Sequence, residues 1–224
     1  VNKDDKHAPQ IIKAANCELY TYSEESKEAD FVASDIRYVS QPDFVGTEFH
    51  ISGKYDMEVR LGIPGLFNVV NALAAVSVCS FLGLDQARIS HALENIRVNG
   101  RMEIVYTSER CTVLVDYAHN AVSMESLLST LRDYKPKRLV CVFGCGGNRS
   151  KDRRYSMGEI GGKMADLSII TADNSRYEKV EDIIADIRGS IEKTGGKFIE
   201  IPDRREAIRY SILHAQPGDM VAVI

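Results

Sequence analysis

The stretch TVLVDYAHNAVSMESLLSTLRDYKPKRLVCVFG, residues 112–144, decides the fold. TVLVD and RLVCVFG are short apolar runs without the alternation of a half-exposed strand, and such runs suit strands covered on both faces. Between them AVSMESLLSTLRDY reads as a helix. The same rhythm continues toward the C-terminus: helix in YSMGEIGGKMA, strand in LSIIT, helix in EKVEDIIADIRGSIEKT, strand in KFIEI, helix in DRREAIRYSILHA and strand in DMVAVI. Strict alternation of buried strand and helix implies an α/β domain, a Rossmann-like parallel sheet with helices on both faces.

Toward the N-terminus the pattern differs. HAPQIIKAAN suggests a short helix and CELYTYS a strand, while FVASDIRYV, FVGTEFHISG and YDMEVRLGI alternate as strands of a meander. A long helix is expected after Pro64 and Gly65, running through Leu84, and a second from Asp85 to Asn95 with Asp85 as its N-cap. The expected domain boundary lies near Asn99 and Gly100, giving regions 1–98 and 99–224.

The bulk numbers narrow the class. The chain has 224 residues, 44% hydrophobic and 27% charged, enough apolar material for a core. A net charge of −4 argues against a general nucleic-acid surface. Five scattered cysteines, Cys17, Cys79, Cys111, Cys141 and Cys145, suit reduced thiols, and Cys141 with Cys145 lacks the second pair that a metal site needs. VNKDDKHAP has no apolar signal core. VVNALAAVSVCSFLGL is interrupted by Asn71 and is shorter than the roughly 20 residues a bilayer span requires. A cytoplasmic protein with no membrane or nucleic-acid partner is expected. The chain opens without methionine and stops at DMVAVI, so a fragment of a longer protein is expected too.

Ligands of open α/β sheets sit beyond the carboxyl ends of the strands. Three polar loops fall there: Asp116–His119, Gly144–Arg154 and Asp173–Arg176. GCGGNRSKDRR matches neither the G-x-G-x-x-G spacing nor a Walker A loop. Its glycines let backbone approach a ligand and its arginines can grip a carboxylate or phosphate, although a solvated basic turn would look the same. In TADNSR, Asp173 and Asn174 either shape a turn or join Arg176 in clamping a zwitterion. Asp116 can accept hydrogen bonds from a ribose diol, and a lone histidine such as His119 is more often structural. Asn68 and Asn71 share one face of the long helix, where their amides need either backbone partners or a base.

Together NKDD, GLFNVVNALAA, GRME, VDYAHN, GCGGNRSKDRR and TADNSR resemble the Mur ligases, ATP-dependent enzymes of bacterial peptidoglycan synthesis and hence of cell-wall growth, shape and division. The last two segments look like those of members that add meso-diaminopimelate to UDP-N-acetylmuramoyl-L-alanyl-D-glutamate. The resemblance implies that Arg149 binds the incoming diamino acid. It matches Asp173, Asn174, Ser175 and Arg176 to the family's Asp-Asn-Pro-Arg motif, and it places Asn68, Asn71, Arg101, Asp116 and His119 on the adenine and ribose side of the ATP site. Ser175 stands where the motif has proline, and Asn148 where an acid is common. No residue of this chain is matched to a catalytic or metal-binding role.

The resemblance further implies that region 1–98 is the C-terminal part of the central ATP-binding domain and region 99–224 the amino-acid-binding ligase domain. The family's UDP-binding domain, P-loop and magnesium-binding groups (a carbamylated lysine among them) have no counterpart here, nor does a Gly-Lys-Gly-His-Glu segment expected after Ile224. ATP and Mg2+ would thus be held largely by absent parts, and this chain, expected as a monomer, would be inactive alone. The alternatives are a lysine-adding ligase of the same family, a folylpolyglutamate-synthase-like ligase with a similar strip at 116–120, a non-catalytic binding module, and a Rossmann oxidoreductase, which the glycine spacing disfavours.

Overall fold

A computed structural model describes residues 1–41 and 43–224. The chain divides into two compact units. One takes in Val1–Ser40 and Phe44–Arg97; the other takes in Val98–Ile224 with Gln41 and Asp43.

In unit 1, helix α1 (Ala8–Ala14) is followed by β1 (Tyr22–Ser23), β2 (Phe31–Ser40), β3 (Val45–Gly53) and β4 (Met57–Leu61), which form a sheet in that order. β2, β3 and β4 are the expected antiparallel meander, but β1 pairs parallel with β2 and only two residues of CELYTYS are strand. Period-2 alternation buries Phe49 and Ile51 of β3 while Glu48 and His50 face outward. Helix α2 (Leu66–Phe81) ends three residues before Leu84 and buries Val69, Ala72, Leu73, Val76 and Ser77, the i, i+3, i+4, i+7 stripe of an amphipathic helix. That stripe packs with Phe31, Phe49, Ile51, Val59 and Leu61 in one core, joined by Ile89 and Leu93. The last two belong to α3 (Gln86–Asn95), whose Asp85 cap accepts the Arg88 amide.

Unit 2 carries β5 (Glu103–Thr107), β6 (Cys111–Val115), α4 (Ala121–Asp133), β7 (Arg138–Phe143), α5 (Asp152–Met164), β8 (Leu167–Ile170), α6 (Val180–Thr194), β9 (Phe198–Glu200), α7 (Arg204–Leu213) and β10 (Asp219–Val223). The strands lie in the order β5-β6-β10-β7-β8-β9. Five are parallel, with β10 inserted between β6 and β7 and buried along its whole length. The five strands expected from the sequence are the parallel ones; β5, which is not among them, runs antiparallel along the edge beside β6. None of its residues is fully buried, so it lacks the apolar run that marks its neighbours. Val113, Val140, Val142, Ile169, Val221 and Val223 form one face with Ala207 of α7. On the opposite face Gly161 of α5 packs against Phe143 and Ser168, so helices cover both sides. Among the described residues no helix is long and apolar enough to cross a membrane.

Candidate active site

The carboxyl ends of β6, β7, β8 and β10 open into a cavity of about 700 Å³ within unit 2. All three polar loops reach it. β6 delivers Asp116 and His119, β7 delivers Gly144, Cys145, Gly146 and Arg149, and β8 delivers Asp173, Asn174 and Arg176. Arg153 and Met157 enter from α5, Arg204 from the first turn of α7, and Ile224 follows β10.

The β7 and β8 loops are built as one piece. The Gly147 amide donates to the Asn174 carbonyl at 2.8 Å. A β-carbon on Gly147 would collide with the Ser175 carbonyl oxygen, and one on Gly144 with the Thr171 carbonyl oxygen. These two glycines therefore serve the close approach of one loop to the other. Gly144 also lines the cavity, whereas Gly147 does not. Gly146, which lines the cavity, has only the Asn174 carbonyl oxygen nearby, at 3.6 Å from an added β-carbon. Ser175 lies outside the cavity lining; its carbonyl accepts the Glu178 amide at 3.0 Å, which closes a turn without the motif's proline. Asn148 (φ 50°) and Arg176 (φ 51°) both adopt the left-handed region, which asparagine tolerates and arginine seldom enters.

The four cations after the glycines divide into two classes. Arg154 is 1% exposed and donates to Glu178 at 2.7 Å and to Asp186 at 2.9 Å, while Lys151 pairs with Asp186 at 3.1 Å. Both are structural, so of the loop's arginines expected to grip an anion only Arg149 and Arg153 remain without such a partner among the described residues. These two and Arg176 have no carboxylate within ion-pair distance among the described residues. Glu178 is held below the usual carboxylate range by its hydrogen bonds from Arg154 and from the Asn148 amide. Burial alone would raise Asp186, but the hydrogen bonds from Arg154 and Lys151 outweigh it and the net shift is downward. Burial pushes the Cys145 thiol up to about 12, which leaves no thiolate to act as a nucleophile.

Asp116 spends one lone pair of each carboxylate oxygen on backbone, accepting from the Met102 and Ala118 amides at 2.8 Å each. His119 sets its Nδ1 3.1 Å from the Tyr117 carbonyl, a contact in which Nδ1 can only donate. Asn120 caps α4 through a reciprocal pair with Ser123. Arg101 does not line the cavity; its guanidinium lies 5.3 Å from the Tyr117 ring centroid. Asn68 and Asn71 belong to unit 1, where the Asn68 amide donates to the Pro64 carbonyl at 2.7 Å and the Asn71 amide to Asn68 at 3.3 Å. Asn68 thus has a backbone partner, while Asn71 has the Asn68 side chain.

Sequence reasoning missed Arg204. Arg204 donates to the Ala172 and Ile224 carbonyls, at 3.4 and 3.0 Å, and so ties the ends of β8 and β10 together at the cavity floor. Its position just after the Asp203 cap, at a strand's carboxyl end, was the available signal.

A cavity with unpaired guanidiniums beside Asp173 can hold carboxylates on the first and an ammonium on the second. Comparison with known proteins agrees with an amino-acid-handling enzyme family. The Mur ligase glutamate ligase domain matches residues 100–224, and the Mur ligase middle domain matches residues 1–79. The UDP-N-acetylmuramoyl-L-alanyl-D-glutamate--2,6-diaminopimelate ligase of Caldanaerobacter subterraneus subsp. tengcongensis is 37% identical over 226 residues, covering 99% of this chain and 45% of its own length. Its counterpart from Trichormus variabilis is 40% identical over 225 residues, again covering 99% and 45%. A solved UDP-N-acetylmuramoyl-L-alanyl-D-glutamate--2,6-diaminopimelate ligase superposes with a TM-score of 0.77 at 33% identity, covering 99% of this chain and 46% of that one. Folylpolyglutamate synthase from Thermotoga maritima shares the fold alone, with a TM-score of 0.70 at 21% identity over 96% of this chain and 47% of that one. The chain spans about half the length of the curated relatives it matches. Since the glutamate ligase domain matches more than half of it, the chain belongs to the Mur ligase family.

Proposed function

We propose that this chain is part of an ATP-dependent ligase that joins meso-diaminopimelate to the D-glutamyl carboxylate of UDP-N-acetylmuramoyl-L-alanyl-D-glutamate. Within it, region 99–224 holds the amino acid and region 1–98 belongs to the ATP-binding domain. The observation that carries this reading is the trio Arg149, Arg176 and Asp173 on one cavity, with neither arginine ion-paired to a carboxylate among the described residues. Arg149 and Arg176 take carboxylates, Asp173 and Asn174 meet an ammonium, and Ser175 shapes the loop. Asn68 and Asn71, and separately Arg101, Asp116 and His119, are assigned to the nucleotide.

In the reaction so assigned, the D-glutamyl carboxylate takes the γ-phosphoryl group of ATP, releasing ADP and giving an acyl phosphate. The amine of the incoming amino acid then attacks the acyl carbon, loses a proton and displaces phosphate. The residues of unit 2 contribute positioning: they hold the amine donor in place, which replaces a bimolecular encounter with a prearranged one. Among the described residues no group of three or more His, Cys, Asp or Glu side chains could hold a metal ion.

Charge matching favours the diamino diacid over lysine. Its two ends each carry a carboxylate and an ammonium, whereas the far end of lysine offers no carboxylate to a second arginine. A guanidinium left without its anion costs about 1–3 kcal/mol, roughly tenfold to a hundredfold in affinity. Titration calorimetry on this chain should therefore show meso-diaminopimelate binding at least about tenfold more tightly than L-lysine, and Arg176→Ala should abolish that preference. Equal binding of the two amino acids, or an unchanged preference in Arg176→Ala, rejects the clamp. Binding of L-glutamate in place of both would favour the folylpolyglutamate-type reading.

A further inference from the structure

Glu178 lies outside the cavity, yet its carboxylate joins the loops that carry Arg149 and Arg176. Its Oε1 accepts from Arg154 Nη2 at 2.7 Å and from the Asn148 backbone amide. Asn148 answers across the same gap, its side-chain oxygen accepting the Tyr177 amide at 3.1 Å. A third rung is the Gly147 amide on the Asn174 carbonyl at 2.8 Å. The joint thus spans residues 147–148 on one loop and 174–178 on the other. Arg149 follows it directly on the first strip, and Arg176 lies inside the second, held in its left-handed conformation. Behind the joint Arg154 is 1% exposed and fixed from the far side by Asp186 at 2.9 Å. A buried, doubly held arginine is a rigid post, and a carboxylate paired to it moves little.

We propose that Glu178 is a positioning residue: anchored on Arg154, it fixes the spacing between Arg149 and Arg176 and so selects ligands whose two carboxylates match that spacing. The proposal rests on the amino-acid reading above and deepens it. A ligand with one carboxylate engages one arginine and is indifferent to the distance between two. A ligand with two carboxylates senses any change in that distance. Glu178 bonds directly to the Asn148 amide as well as to Arg154 and so governs selectivity, whereas Asp186 touches neither loop and contributes mainly stability, Arg154 staying buried and held by Glu178 without it.

Three variants of the full chain separate these roles: Glu178→Gln, Glu178→Asp and Asp186→Asn. Two quantities are read in each, amide hydrogen exchange at Gly147 and Tyr177, and the dissociation constants for meso-diaminopimelate and L-lysine. In Glu178→Gln exchange at both amides should quicken, diaminopimelate should bind at least about tenfold more weakly, and lysine should be unaffected. Glu178→Asp, which keeps the charge, should recover part of the preference. Asp186→Asn should lower the denaturation midpoint while leaving the ratio of the two constants within about twofold of wild type. Should Glu178→Gln fail to fold, Glu178→Asp carries the same comparison through its shorter reach. An unchanged ratio in Glu178→Gln, or an equal loss of preference in Asp186→Asn, overturns the proposal while leaving the amino-acid reading intact. A wild-type chain that ignores diaminopimelate overturns that reading and this selectivity together.

Discussion

Gly146 and Gly147 are adjacent and chemically identical, yet the structure assigns them opposite tolerance. Alanine at 147 would drive its methyl group into the Ser175 carbonyl oxygen, a backbone atom that can move only if the whole β8 loop moves. Alanine at 146 would meet only the Asn174 carbonyl oxygen, at an ordinary 3.6 Å. Gly147→Ala is therefore expected to cost about 1–3 kcal/mol and to open the gap between the two loops, whereas Gly146→Ala should stay within about 0.5 kcal/mol of wild type. Urea denaturation of the two variants measures the difference, and equal midpoints would show that the loops do not depend on this contact. The sequence Gly-x-Gly-Gly announced a tight loop. It could not say which glycine faces a neighbouring backbone, because Ser175 arrives from another strand.

At the scale of elements, the α5–α6 pair is bolted by ions. Arg154 enters from α5, Asp186 answers from α6, and Glu178 precedes α6 by two residues. Both carboxyl groups titrate below their ordinary values of 3.8 for Asp186 and 4.5 for Glu178. A carboxylate depressed by folding adds stability in full above its unfolded value, and that stability fades as the pH falls through the folded value. The chain should accordingly keep its full urea midpoint above about pH 5 and lose it progressively below about pH 4. Asp186→Asn should cost about 2 kcal/mol at neutral pH, less than the roughly 3–5 typical of fully buried pairs, because the Asp186 side chain is 19% exposed. The variant's midpoint should also fall less steeply with acid. A variant curve parallel to wild type through the acid range would show that this pair is not what titrates.

For the molecule as a whole, what was legible in the sequence followed from burial. β6, β7, β8 and β10 are covered on both faces, so they appear as uninterrupted apolar runs, and the polar loops at their carboxyl ends are the ones that line the cavity. β5 escaped because an edge strand with no fully buried residue carries no such run. Arg154 was grouped with the anion-gripping arginines because nothing in SKDRR sets it apart; its partners Glu178 and Asp186 come from 24 and 32 residues further along. Nor does sequence order reveal that the last strand is the middle one. β10 bonds to β6 through Asp219–Val223 on one side and to β7 on the other, so it joins the two halves of the sheet. Asp219, 3% exposed, also takes the Arg138 guanidinium at its N-terminal end. Removal of residues 217–224 would leave β6 and β7 with unpaired inner edges and two apolar faces uncovered, a loss that no loop rearrangement offsets. The truncated chain is expected to lose cooperative unfolding of unit 2 altogether, while trimming Val1–Lys3, which form no core strand, should leave that unit unchanged. Amide exchange at Val140 and Ile169 reads the outcome: slow exchange surviving in the truncated chain would mean that the sheet closes without its central strand.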